Sequence, residues 1–400
     1  MNQQATANDH GIKPLPERRT VQVAGHELVI FLESPPLIQA MVEDIRSAKK
    51  RVWVEIYIIF ADAAGKAIAE ALKERASAGL DVRLLYDYIG SLTTPSSFFR
   101  DMERAGVQVH AFHSLWEAFW RFSLLRILNR RNHRKLLVID DTVAYFGGMN
   151  LVDQLPAPYH DPAKPKTLSV GWRDVHIRLS GPQQAEVAES FARSWQRAHR
   201  QKIKRRNRFY RRAVLAAGDE SIQFFDSGPG LRHTRAGRVF QRMLKVALRN
   251  IEMSMAYFVP VGGVLRTLLR AHRRGVFIQV VVPGLSDVAF VQSAARHLYR
   301  KLLRRRLHLY ERQFHMLHSK VLVVDDEWTV LGSCNFDARS FWINLEFLAV
   351  IHSRKLGAIF KEIIRYEIGQ SRRITIHDCY RRRWWQRLFD RVAWAFRWWL

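Results

Sequence analysis

The chain has 400 residues, 48% hydrophobic and 12% aromatic, which is enough for two cores and too apolar for a disordered protein. Its 64 Lys and Arg oppose 37 Asp and Glu, and the net charge of +27 implies a polyanionic partner, either nucleic acid or an anionic membrane surface. The two cysteines, Cys334 and Cys379, exclude a disulfide framework and a cysteine-based zinc site, and fit a reducing compartment.

Residues 1–24 have no apolar core, so an N-terminal tail is expected there and not a signal peptide. No run of about 18 uncharged apolar residues occurs, so no membrane-spanning helix is expected. "HELVIFLES" (26–34) reads as a strand and turn, 35–49 as a helix and "RVWVEIYIIF" (51–60) as a strand. Residues 65–87 read as a helix ending near Gly79, followed by a strand. The plan then recurs: strand and turn at 220–230, helix at 235–249, strand at 250–260, helix and strand at 262–284. Alternation of this kind predicts α/β units, here one lobe over 25–205 and a second over 206–378, joined near the basic stretch "QKIKRRNRFYRR" (201–212). Three segments break the pattern. Residues 115–131 and 296–306 mix bulky apolar residues with Arg, and 379–400 reads as a basic, aromatic, amphipathic helix with five of the twelve Trp.

One constellation occurs twice with identical spacing. The first copy is His133, Lys135, Asp140, Gly147, Gly148 and Asn150; the second is His318, Lys320, Asp325, Gly332, Ser333 and Asn335. Chance repetition over this length is far below about one in a thousand for average residue usage. On a strand, residues i and i+2 share a face, so each His projects with its Lys. Such a set suits phosphodiester chemistry. The lysines hold non-bridging oxygens and neutralise growing charge, one imidazole attacks phosphorus and the other protonates the leaving alkoxide. Asn150, Asn335 and Ser333 can donate to phosphate oxygens, so they are expected to bind substrate. An attacking imidazole also needs an acceptor on its other nitrogen, and Asp174 and Glu346 follow their motifs in positions to orient His133 and His318. Neither a metal nor another cofactor is needed for this chemistry. The apolar run in each motif is expected as core, and Asp141 and Asp326 as solvated turn residues.

The paired pattern resembles the twin signature of the phospholipase D superfamily over roughly residues 25–375. Within it, "NHRKLLVIDDTVAYFGGMNL", "WRDVHIRLSGP", "DSGP" (226–229) and "HSKVLVVDDEWTVLGSCNFDARSF" resemble bacterial cardiolipin synthases of the shorter subgroup that lacks N-terminal membrane spans. The resemblance implies two pseudo-symmetric α/β sandwich lobes sharing one active site. It implies a phosphatidyl transfer in which two phosphatidylglycerols give cardiolipin and glycerol through a phosphohistidine. The N-terminal histidine of the family is commonly the nucleophile, which maps to His133 and leaves His318 as acid/base, although pseudo-symmetry permits the reverse. Asp140 and Asp325 are counted with the catalytic set, in a supporting role. The first copy departs from the second in having Gly148 where Ser333 stands.

Two partner classes compete at this stage. A nuclease or phosphodiesterase of the same superfamily would use the charge on a nucleic acid backbone. A phosphatidyltransferase would use it on an anionic phospholipid membrane, peripherally and on the cytoplasmic face, with phosphatidylethanolamine open as a second donor. Backbone binding needs Arg and Lys but no dense Trp and Phe face. The repeat of Trp384, Leu388, Val392, Ala395 and Trp399 beside Arg383, Arg387 and Arg391 therefore favours the membrane, and no obligate protein partner is implied.

Overall fold

The computed structural model describes residues 15–113, 130–153, 172–199, 220–228, 235–313 and 315–400. Most of the expected tail, nearly all of 115–131 and the basic connection at 201–212, with the expected lobe boundary, lie outside these residues.

Strands β6 (Leu136–Ile139) and β15 (Lys320–Val324) are buried at every position, because both faces of each are covered. Each is the centre of an eight-stranded mixed sheet. The first runs β1 (Arg18–Val23), β2 (His26–Phe31), β9 (His176–Ser180), β7 (Val143–Gly147), β6, β3 (Arg51–Ile56), β4 (Asp81–Asp87) and β5 (Gln108–Phe112). The second runs β10 (Ser221–Ser227), β17 (Glu346–His352), β16 (Trp328–Gly332), β15, β11 (Asn250–Met255), β12 (Phe277–Pro283), β13 (His308–Arg312) and β18 (Ser371–Arg373). From β2 to β5 and from β10 to β13 the order is the same. In both, the helix-connected strands pair in parallel and the motif strands pair antiparallel.

Alternation along the motif strands separates two surroundings. Leu137 and Ile139 face a core with α1 (Ser34–Ser47) and α2 (Ala63–Ser77), and Leu322 and Val324 face one with α5 (Arg235–Val246), α6 (Gly262–Arg273) and α7 (Ala289–Leu303). Leu136 and Val138 instead meet Val321 and Val323 in a third core, with Val187 of α4 (Gln184–Ala198) and Leu356, Phe360 and Ile364 of α9 (Arg354–Gly369). The two lobes therefore share one interior.

Two expectations need correction. Residues 18–23 are not tail but form β1, paired residue for residue with β2 through a two-residue turn at Ala24 and Gly25, both in the left-handed region. Val21 and Val23 are buried in the shared core, and Arg19 is held by both carboxylate oxygens of Glu362 at 2.6 Å. The charges that open "RRTVQV" hid a strand with few inward positions. The C-terminal segment is two helices, α10 (Ile376–Arg381) and α11 (Trp384–Ala395), instead of one. Asp390 and Ala393 of α11 are buried, and Trp394 stacks on His297 of α7 with ring centres 5.4 Å apart. The opposite face, with Trp384, Leu388, Val392 and Trp399, is exposed as the periodicity predicts.

A shared interior makes the lobes unfold together. Phe360→Ala is expected to lower stability by about 3–5 kcal/mol. Urea unfolding followed by circular dichroism should show one transition shifted as a whole; a biphasic curve with one phase unmoved would contradict a common core.

Candidate active site

His133 and His318 lie just before β6 and β15, where each strand leaves its sheet and meets the other lobe. The His133 N–H donates to Leu345 O at 2.9 Å, and Leu345 N–H returns a bond to Arg131 O at 2.8 Å. On the other side, Met316–Leu317 pairs in parallel with Trp172–Arg173, and the His318 N–H donates to Arg173 O at 2.7 Å. Each clasp ends beside a carboxylate. Glu346 follows Leu345 and accepts from His133 Nδ1 at 3.2 Å; Asp174 follows Arg173 and accepts from His318 Nδ1 at 2.6 Å. Both carboxylates thus orient the histidine of the opposite lobe, and Nε2 is the ring atom they leave disengaged.

All four groups are buried, and so are the lysines. Burial and the charge of Lys135 lower His133 to about 4, so the ring is neutral at physiological pH. Burial also brings Lys135 down to about 7, and lowers His318 and Lys320. Burial alone would raise Asp174, but Lys320 and His318 outweigh it and hold it below the usual carboxylate range. Glu346 is likewise held low against burial, by His133 first and then by Ser333 and Lys135. Lys135 Nζ donates to His133 O at 2.7 Å, and Lys320 Nζ makes the equivalent bond to His318 O. An imidazole held on a carboxylate beside a buried lysine is an arrangement able to attack an anionic phosphorus centre when neutral, or to protonate a leaving oxygen when charged.

Asn150 and Asn335 are buried near this cluster. Asn150 Oδ1 accepts from Ile58 N–H at 3.3 Å, which leaves its amide NH2 to donate. Ser333 was expected on substrate oxygens; instead its hydroxyl donates to Glu346 and accepts from Phe347 N–H at 3.0 Å. It steadies the carboxylate that steadies His133.

Asp140 and Asp325 are not brought to the site. They close the far ends of β6 and β15, roughly 13 Å along the four-residue β6 and roughly 16 Å along the five-residue β15. Asp140 accepts from the N–H groups of Lys49, Lys50 and Arg51 at 2.8–3.0 Å, and Asp325 from those of Leu248, Arg249 and Asn250 at 2.7–2.9 Å. Both hold left-handed backbone at the turn that follows. Asp141, as expected, is an exposed turn residue, paired with Lys50 and Arg51.

Several neighbours were not singled out in the sequence. Arg134, between His133 and Lys135, points the opposite way and is fully buried. It reaches Glu346 O, Ser190, Ser194 and, at 3.4 Å, Asp226 of the "DSGP" segment. Tyr57 lies edge-on to His133 at 4.9 Å, Trp172 lies 5.0 Å from His318, and Tyr257 reaches the same ring at 6.5 Å while bonding Asp287. The matched position of the strands ending in "EIY" and "MAY" was the available signal for the tyrosines.

The family model described as "Cardiolipin synthase, PLD-like domain" matches residues 41–154 and 240–367. Cardiolipin synthase A of Pseudomonas putida is 31% identical over 358 residues, covering 89% of this chain and 71% of the relative. Cardiolipin synthase of Listeria innocua is 30% identical over 372 residues, covering 92% and 74%. Among solved structures, phosphatidylserine synthase of Haemophilus influenzae superposes with a TM-score of 0.70 at 13% identity, covering 95% of this chain and 94% of its own. At that identity the likeness concerns the fold.

The placement of the motif aspartates separates stability from chemistry. Asp325→Ala, which strands three backbone N–H groups, is expected to lower stability by about 1–3 kcal/mol while leaving turnover per folded molecule within about threefold. Asp174→Asn is expected to do the reverse. Urea titration and product formation on the same preparations would test it; an Asp325 variant that folds normally but is inactive would place that carboxylate in the chemistry.

Proposed function

The chain belongs to the cardiolipin synthase, phospholipase D-like family, and on that premise we propose that it transfers a phosphatidyl group between two phosphatidylglycerols, yielding cardiolipin and glycerol. The observation that carries this reading is the crossed pair of imidazoles, each bonded through Nδ1 to a carboxylate of the other lobe and each beside a buried lysine. Nε2 of His133 attacks the donor phosphorus, the phosphorus–oxygen bond to glycerol breaks, and His318 delivers a proton to the departing oxygen. His318 then takes the proton of an acceptor hydroxyl, whose oxygen attacks phosphorus as the bond to His133 breaks. Lys135, Lys320 and the Asn150 amide hold the non-bridging oxygens. The order of roles fits the local electrostatics: His133 is held neutral, and the short 2.6 Å contact of His318 with Asp174 favours a protonated ring when a phosphate anion offsets the two lysines.

The substrates lie in a bilayer, and among the described residues no helix is long and apolar enough to cross one. Attachment is assigned to the outer face of α11 and the residues after it. Trp384, Trp385, Leu388, Phe389, Val392, Phe396, Trp398 and Trp399 are exposed there, with Arg383, Arg387 and Arg391. The only acidic residue of 380–400, Asp390, is turned inward onto Arg382 at 3.0 Å, so the outer face is cationic and apolar throughout. The segment is tied to the element that follows the second motif. Trp398 stacks on Trp342 of α8 (Ala338–Trp342), the short helix after Asn335, with ring centres 5.3 Å apart, and Leu400 O accepts from Arg339 N–H at 2.7 Å.

His133→Ala and His318→Ala are each expected to abolish turnover of phosphatidylglycerol vesicles, measured by mass spectrometry of the products, without loss of fold. His318→Asn should accumulate an acid-labile phosphatidyl-enzyme that His133→Asn cannot form; label retained on the His133 variant would exchange the two roles. Activity is expected to survive EDTA in metal-free buffer, and a loss reversed by one divalent ion would refute the metal-free route.

Because α11 is docked through Asp390, Ala393 and Trp394, removal of the segment would disturb the core, and substitution is the cleaner test. Trp384→Ser with Trp399→Ser is expected to weaken sedimentation with anionic vesicles by about tenfold or more and to leave turnover in detergent unchanged. Binding should also fall as salt rises, since the Arg contribution is screened. Unchanged vesicle binding would move the attachment elsewhere.

A further inference from the structure

Lys135 and Lys320 stand in matching rows of their sheets, and the two rows end differently. Gly147 pairs with His176 on β9, and one step beyond the Leu136–Phe146 pair Lys135 comes opposite Gly147. In the second lobe the same step brings Lys320 opposite Gly332, which pairs with Leu348. Cross-strand neighbours share a face, so each lysine looks across a glycine at the residue beyond it. In one lobe that residue is an imidazole, in the other an aliphatic chain. A Cβ on Gly147 would lie 2.8 Å from His176 Cγ, so the ring fills the space that a side chain there would take.

His176 is only 1% exposed, and neither ring nitrogen has a hydrogen-bond partner among the described residues. Burial lowers it to about 3, so the ring is neutral and carries one donor and one acceptor. Leu348 is just as buried, so the fold has an apolar solution for this place, and two idle nitrogens in the first lobe call for a partner. The ring lines a cavity of about 10 Å³, close to the least that holds one water. Lys135 is the other polar residue of that lining; the rest, among them Met41 and Ile45 of α1 and Ile68 of α2, are apolar. Strand spacings put the two backbones roughly 10 Å apart, a gap that two long side chains and one water span.

The lysines also differ in their other partners. Lys320 Nζ stands 2.9 Å from His318 Nδ1 and 3.7 Å from Asp174 Oδ2. Lys135 donates to His133 O at 2.7 Å and lies 5.1 Å from the centre of the Tyr57 ring, but among the described residues it has no salt bridge. The carboxylates of Glu346, Asp174 and Asp87 favour its charge from further off and Lys320 opposes it, while burial prevails. Its ammonium is thus the less secured of the two.

We propose that His176 is the internal partner of Lys135: through one bridging water its unprotonated nitrogen accepts from the ammonium and keeps that lysine charged. His176 acts through Lys135 and does not touch substrate, so it is a positioning residue. The inference rests on the phosphatidyl-transfer reading for the task of Lys135, and adds to it what sustains that charge in a dry interior.

The test uses the full-length protein with His176→Leu, the residue at the matching place in the second lobe. Removing the acceptor makes Lys135 give up its proton more readily, so the charged and active form is lost at lower pH. The alkaline limb of kcat/KM on detergent-dispersed phosphatidylglycerol is expected to move down by about one unit, a loss of about tenfold at pH 8 and about twofold at pH 6. His176→Gln, whose amide keeps a donor and an acceptor, should recover part of the shift. In protein labelled with carbon-13 at lysine Cε, the Lys135 signal, assigned by Lys135→Arg, is expected to show the same fall in titration midpoint. Stability in urea should not drop, because the nitrogens removed have no partner; if leucine packs badly, the more adaptable His176→Met repeats the measurement. An unmoved Lys135 midpoint in the apolar variants would overturn the proposal, whatever the rate does. A wild-type protein that makes no cardiolipin would fell the transfer reading instead, and the lysine titration would still decide the pairing.

Discussion

Everything in this molecule depends on a crossed pair of bonds. Each motif histidine is attached to the opposite lobe twice, by its backbone N–H and by Nδ1, to two consecutive residues there: Leu345 and Glu346 for His133, Arg173 and Asp174 for His318. The backbone bond fixes where the ring stands, and the carboxylate bond fixes which nitrogen carries the proton. Neither lobe alone can do both. The shared core between β6 and β15 is what keeps these two clasps in register, since it joins the inner faces of the strands that the histidines precede. Rigid elements on both sides make such a site more exact than one built on loops.

Much of this was legible in the residues. Duplication at an offset of 185 residues, the i, i+2 pairing of His with Lys and the continuous apolar runs were enough to place two buried strands and their projecting pairs. What could not be read was the direction of side chains that look alike in a motif. Asp140 lies five residues after Lys135, and nothing in that spacing says that a four-residue strand carries it to the other end of the sheet. Ser333 sits in the turn beside Asn335, yet its hydroxyl is drawn to Glu346 because that carboxylate has a buried oxygen to satisfy. Arg134 has the odd parity of its strand, and only the arrival of α4 and β10 gives it partners. The strand at Arg18–Val23 was hidden for the simpler reason that it contributes few apolar residues to an interior made mostly by others.

The departures from symmetry are matched. A Cβ on Gly148 would lie 2.2 Å from Asp174 Oδ1, so the first copy has no room for a serine. Glutamate is one methylene longer than aspartate, and at the equivalent place in the second copy Glu346 leaves space for Ser333 and binds it. Aspartate with glycine and glutamate with serine are two solutions to one packing problem, and they leave the histidines with unequal partners. Asp174 bonds one imidazole at 2.6 Å, whereas Glu346 divides itself between an imidazole at 3.2 Å and a hydroxyl.

The interior common to both lobes has a consequence for how such a protein diversifies. Two separate copies of one lobe meeting across this face would form an isologous dimer, in which any substitution is installed twice, once on each side of the axis. Joined in a single chain, the halves keep the contact but lose that obligation. A methionine can then stand at 316 while an arginine stands at 131, and an extra strand can extend one sheet at Arg18 and the other at Ser371. Covalent fusion turned a surface that must be self-complementary into one whose two sides evolve independently, so that one side can come to recognise something the other does not.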